Sequence, residues 1–279
     1  AREHWTGYLL CRRRRYALSR ARFEAAARLD PSRASSAFYA QVARALGEGR
    51  APRRHGAGRR LTIMGLGYRQ PFQVSREALF ALRDCQVIYS NLSDSSVADF
   101  LGLFPSPFRA IVFRRRDRQS TRCARDVMPA FERSRRVAVV TRGHPLYYGR
   151  LAYRLVMDCR RLGIEVRVPG SVSISDTLVG MTDHARGETL GLQVRDSAAL
   201  AALDRRLPLV LYNLSSQGGE RMRLSRELAS LYPSGQSCVL LAGSGDAEFS
   251  PTLTPLAELG AALDRADEAV TLLLPAAAS

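Results

Sequence analysis

Not one lysine occurs among the 279 residues, so all 42 basic side chains are arginine. Acidic residues number only 26, leaving a formal charge of +16, and such a surface favours anionic partners: nucleic acid, phosphates, carboxylates or acidic peptides. Cysteine is sparse too. Cys11, Cys85, Cys123, Cys159 and Cys238 are odd in number and form no CxxC pair, which argues against a disulfide framework or a zinc site and predicts structural thiols in a reduced, cytosolic setting. No apolar run approaches a membrane span, and Ala1-Arg-Glu-His-Trp5 lacks the signal-peptide layout; the missing initiator Met suggests a trimmed start. What is plentiful is apolar side chain, at 46%, enough for one large or two modest globular domains and too much for a disordered chain.

The charge is uneven. Residues 1–60 hold a net +11 and the rest only +5. Within 5–29 the apolar positions Leu18, Ala21, Ala25 and Leu29 recur at helical spacing until Asp30-Pro31 stops the pattern. A second helix follows, capped by Ser35 or Ser36, with Phe38, Val42 and Leu46 on one face and Gly47 at its end. The aromatics here are few, so stacking on single strands is not favoured, and nucleic acid ranks below other anionic partners. Residues 47–60 read as an Arg/Gly/Pro linker, making 1–60 a basic helical extension.

From Leu61 the pattern alternates strand and helix, which predicts an α/β fold with a largely parallel sheet. Strands are expected at 61–64, 86–89, 110–113, 137–141, 165–168, 190–194, 207–214, 237–242 and 270–274. Helices are expected at 75–82, 95–100, 122–134, 151–162, 173–181 and 222–231. Pro169-Gly170 marks a hinge, so the chain divides into lobes at 61–170 and 171–279.

Two of these strands end in glycine-bearing turns, Gly65-Leu-Gly67 and Gly143-His-Pro-Leu-Tyr-Tyr-Gly149. In an open α/β sheet ligands bind at the carboxyl ends of strands, where glycine permits close backbone approach. The first turn is no dinucleotide fingerprint, because position 70 is Gln rather than a third glycine and no acid ends the next strand. Gly-x-Gly after the first strand, Gly143-His-Pro, Pro169-Gly-Ser-Val-Ser173 and Pro251-Thr-Leu-Thr-Pro-Leu-Ala-Glu-Leu259, in that order, resemble the tetrapyrrole methylase superfamily over residues 61–275. The Gly-His-Pro form and the ending Val270-Thr-Leu-Leu-Leu-Pro275 are similar to its borosin-type peptide N-methyltransferases and pyrophosphohydrolase-fused methylase domains. The acids of the corrin branch are replaced by His144 and Ser90.

The resemblance implies a two-lobed tetrapyrrole-methylase-like fold, S-adenosylmethionine as cofactor, and a homodimer. It implies cofactor contacts at Gly65, Gly67, Gly143, His144, Tyr148, Ser171 and Ser173, and, from the second lobe, at Tyr212, Asn213, Gly243, Ser244, Thr252 and Leu253. Tyr147, His144 and Arg122 are the catalytic candidates, and no metal is expected. The acceptor is expected to be a peptide or a small anionic natural-product precursor. A tetrapyrrole acceptor and a catalytically inactive binding module stay open, the latter because 113–126 holds six arginines and no tyrosine.

Overall fold

In a computed structural model the described residues are 1–48, 58–68, 73–92, 94–111, 125–147, 150–181, 191–197, 200, 203–212, 214, 218–233, 235–242, 250–265 and 270–276. The chain divides into two units, Ala1–Ser173 and Ile174–Ser279.

The first unit begins with three helices: α1 (Arg2–Arg12), α2 (Tyr16–Leu29) and α3 (Ala34–Glu48). Arg14, at φ 58°, breaks α1 from α2, so the expected single helical pattern over 5–29 is two helices. The buried face of α2 carries Ser19, Phe23 and Ala26, whereas Leu18 and Leu29 of the anticipated stripe are exposed. One fully buried phenyl ring outweighs two leucines and two alanines in choosing the face. Ser36 is no cap: it lies buried inside α3 and bonds Nδ1 of His4 at 2.9 Å.

His4 is buried against Phe23 and Tyr39, and burial, helped by Arg33, holds its pKa below the ordinary 6.5 against the opposing pull of Asp99. The folded state thus prefers neutral imidazole, and this stability is complete above pH 6.5 and lost as pH falls through the lowered folded value. Melting followed from pH 7.5 to pH 5 is expected to show a drop that His4→Gln makes smaller.

The sheet of this unit is wholly parallel, in the order β3-β2-β4-β1-β5. Its strands are β1 (Arg60–Gly65), β2 (Val87–Ser90), β3 (Phe108–Ala110), β4 (Arg136–Thr141) and β5 (Glu165–Arg167). Between them lie α4 (Arg76–Asp84), α5 (Ser95–Leu101), a short 3-10 turn at Met128–Glu132 and α6 (Arg150–Arg161). Ser75 caps α4 by accepting from the Ala78 amide at 3.2 Å. Strand β3 starts earlier than the expected 110–113, and Pro129 leaves a 3-10 turn within the expected 122–134 helix.

Alternation along the strands divides two cores, as the period of two requires. Met64, Ile88, Ala138 and Val140 face α4 and α5, and Ile63, Tyr89, Val137 and Val139 face α6. The first core does not end at α4 and α5. Phe23, Tyr39, Val42 and Leu46 of the N-terminal helices join it, with the Phe38 and Phe100 rings 5.9 Å apart. Arg83, itself buried, donates to the Leu46 carbonyl at 3.2 Å, and Arg14 donates to the Arg83 carbonyl at 3.2 Å. The extension is therefore an outer helical layer on one face of the sheet.

The second unit holds α7 (Ile174–Met181), β6 (Gln193–Asp196), β7 (Leu209–Tyr212), α8 (Gly218–Leu231), β8 (Ser237–Ala242), β9 (Ser250–Pro255), α9 (Leu259–Arg265) and β10 (Val270–Leu274). Its sheet runs β6-β7-β10-β8-β9, with β6 parallel to β7 and the other pairs antiparallel. Strand β9 was not expected. It occupies the segment Ser250–Pro255 at an edge, the place where a sheet tolerates proline.

Candidate functional site

Strands β1 and β4 are adjacent and parallel, with Gly65 opposite Thr141, so the turns after them begin at one edge of the sheet. The helix after β1 covers one face and the helix after β4 the other, and this divergence opens the carboxyl ends of the two strands. Pairing continues past the strands: the Leu66 amide donates to the Thr141 carbonyl at 3.0 Å, and the Gly143 amide donates to the Gly67 carbonyl at 3.2 Å.

Glycine is required at two of these points. A Cβ on Gly65 would fall on the carbonyl oxygen of Gly143. At Gly143, where φ is +62°, a Cβ would strike the Tyr68 ring. The Gly65 amide then donates to Ser171 Oγ at 3.1 Å, whose hydroxyl donates to the Pro169 carbonyl at 3.2 Å, tying in the segment after β5. Gly65, Gly67, Gly143 and Ser171 thus form one cluster. His144 and Tyr147 follow in a turn closed by the Tyr147 amide on the His144 carbonyl at 3.0 Å, and both side chains are half-buried. Ser173 is buried at the end of this unit.

In the second unit Tyr212 ends β7, while Thr252 and Leu253 lie on β9, separated from β7 by β10 and β8; Leu253 is exposed. Strand pairing does not bring these three together. Arg122, Tyr148, Asn213, Gly243 and Ser244 lie outside the described residues.

Three residues at the first cluster escaped the sequence reading. Tyr68 covers Gly143, and burial pushes its pKa up to about 12 although Arg142 opposes this. Its phenol therefore stays protonated at neutral pH and serves as a hydrogen-bond donor, not as a base. Asp94, buried ahead of α5, is ion-paired with Arg142, so a carboxylate reaches this edge even though position 90 is serine. Asn91 follows Ser90, whose β4 counterpart is Val140, and its Oδ1 is buried without a hydrogen-bond partner. Such an acceptor is open to a donor from a ligand or a water. The available signal was Asn91 and Asp94 themselves, polar residues directly after a wholly buried strand.

These features fit a nucleoside cofactor bearing amino and hydroxyl donors: a glycine-lined edge for close approach, an unsatisfied buried acceptor, and half-buried aromatic faces. No metal-binding cluster of His, Cys, Asp or Glu occurs among the described residues, and no described helix is long and apolar enough to cross a membrane.

No curated protein matches the sequence. Among solved structures, the uroporphyrin-III C-methyl transferase of Thermus thermophilus, complexed with S-adenyl homocysteine, superposes with a TM-score of 0.59 at 19% identity, over 77% of this chain and 96% of that one. A diphthine synthase superposes with a TM-score of 0.54 at 18% identity, over 77% and 90%. At these identities the likeness is one of fold. The sequence itself matches the tetrapyrrole (corrin/porphyrin) methylases over residues 60–260, and with most of its length so matched the chain belongs to that family.

Proposed function

We propose that this protein is an S-adenosylmethionine-dependent methyltransferase of the Gly-His-Pro branch of its family, acting on a peptide or a small anionic natural-product precursor. The observation that carries the reading is the hydrogen-bonded meeting of the Gly65–Gly67 and Gly143 turns at the carboxyl ends of β1 and β4. Gly65, Gly67, Gly143 and Asn91 would hold the cofactor, with Tyr147 offering an aromatic face to a cationic centre. Bound there, the cofactor supplies an electrophilic methyl group on a sulfonium.

The chain's own contribution is alignment and exclusion of water rather than an acid–base pair. Ser171 fixes the β1 end through the Gly65 amide, Tyr68 shields the Gly143 backbone, and Arg142 with Asp94 leaves fixed charge beside them. The His144 imidazole has no hydrogen-bond partner among the described residues, which leaves it available to an acceptor.

Calorimetric titration with S-adenosylmethionine tests the cofactor. At about 100 times Kd it should stabilise the fold by about 2.7 kcal/mol and raise the melting temperature by roughly 5–10 °C. No heat and no shift would end the proposal. Mass spectrometry of the purified protein separates an enzyme, which carries S-adenosylhomocysteine, from a binding module, which does not. The homodimer implied by the same resemblance is checked by the mass in light scattering.

A further inference from the structure

We propose that the groove between α2 and α3 is a docking surface for an acidic amphipathic helix of a partner protein. Two clefts lie along this helix pair. One, of ≈ 500 Å³, opens where α2 begins and α3 ends, with Arg14, Arg15, Arg20 and Arg44 among its lining. The other, of ≈ 300 Å³, is lined by Arg20, Arg28 and Arg44. Because Arg20 and Arg44 belong to both, the clefts form one track.

Charge complementarity decides the kind of occupant. Five guanidinium groups line the track against two carboxylates, and both carboxylates are engaged: Glu24 with Arg20 at 2.7 Å and Glu48 with Arg44 at 2.8 Å. Arg15 and Arg28 have no acidic partner among the described residues, so they offer bidentate sites for carboxylates from another chain. Between the rims the floor is apolar apart from Gln41, with exposed Leu18 and with Ala17 and Ala43 in one cleft and Ala27, Ala37 and Ala40 in the other.

An occupant must therefore present aliphatic groups to the middle and carboxylates to both sides. An amphipathic helix does this with one apolar stripe flanked by Glu or Asp. Helix α2 has 14 residues, so the track is about 21 Å long, or roughly four helical turns. A nucleic-acid strand meets the rims but not the floor, since Tyr16 is the one ring lining either cleft and successive bases need several.

The test is fluorescence anisotropy of the full chain with a labelled peptide of about 16 residues, long enough to span the track as a helix, bearing Leu at i, i+4, i+7 and i+11 and Glu on both flanks. Its comparators are the same composition scrambled and an oligouridylate of equal charge. The designed peptide should bind best and gain helical circular dichroism on binding. Reversing two rim charges in Arg15→Glu/Arg28→Glu should weaken it by about tenfold or more, while Arg161→Glu, exposed on α6, should not. If the double variant does not fold, Arg28→Glu alone is measured in its place. Equal binding of the scrambled peptide, tighter binding of the oligouridylate, or an equal loss in Arg161→Glu would overturn the proposal, because each reduces the attraction to net charge.

Discussion

Gly65→Ala is expected to destabilise the first unit by about 3 kcal/mol and to remove cofactor binding together with it. The added methyl group has nowhere to go. Its Cβ would fall on the Gly143 carbonyl oxygen, and the next nearest atom is the carbonyl carbon of the same residue at 2.6 Å, ahead of Ser171 Cβ at 3.1 Å, so the clash is with backbone and cannot be relieved by a rotamer change. To admit it, the β4 turn must withdraw from the β1 turn, breaking the Gly143 amide bond to the Gly67 carbonyl and straining the Gly65 amide bond to Ser171. For a unit of this size the melting temperature should fall by roughly 10 °C. Gly170→Ala is the matched control, since a Cβ there meets nothing within 4 Å. A Gly65→Ala protein that melts and binds S-adenosylmethionine like the parent would show that the two turns do not meet as described.

Arg142→Met should cost about 3–5 kcal/mol, the usual penalty for leaving a buried carboxylate without its partner. Asp94 is almost fully buried, while Arg142 keeps about a quarter of its side chain exposed, so the arginine can be lost to solvent more easily than the carboxylate can. Removing both charges in Asp94→Asn/Arg142→Met should recover much of the loss, because an amide is far cheaper to bury than a lone carboxylate. Chemical denaturation of the parent, both single variants and the double variant closes the cycle. A double variant no better than Arg142→Met would mean that the pair is not what holds Asp94 in place.

How much of this was legible beforehand depended on how local each signal is. Strands β1, β4, β8 and β10 follow continuous apolar runs cut off by turn residues, and such runs read directly as buried strands. The glycine turns were legible for the same reason, since each directly follows its strand. Strand β9 was hidden by Pro251 and Pro255, which signal a break unless the edge position is already known. The buried face of α2 was misjudged because alanines surround the helix and two apolar stripes compete. The Asp94–Arg142 pair spans 48 residues and the Tyr68–Gly143 contact joins two separate turns; no periodicity encodes either. Both arise only when β2, β4 and β1 lie side by side.

The family match starts at residue 60, but the hydrophobic interior does not. Phe23 and Leu46 belong to the same apolar mass as Phe100 and Phe104, and Arg83 is bolted to the last turn of α3. A chain begun at residue 60 would keep every matched motif and present a bare greasy flank to water. The helices ahead of the family's own boundary are its weatherproofing, and whatever they grip on their far side is fastened rigidly to the methylase sheet.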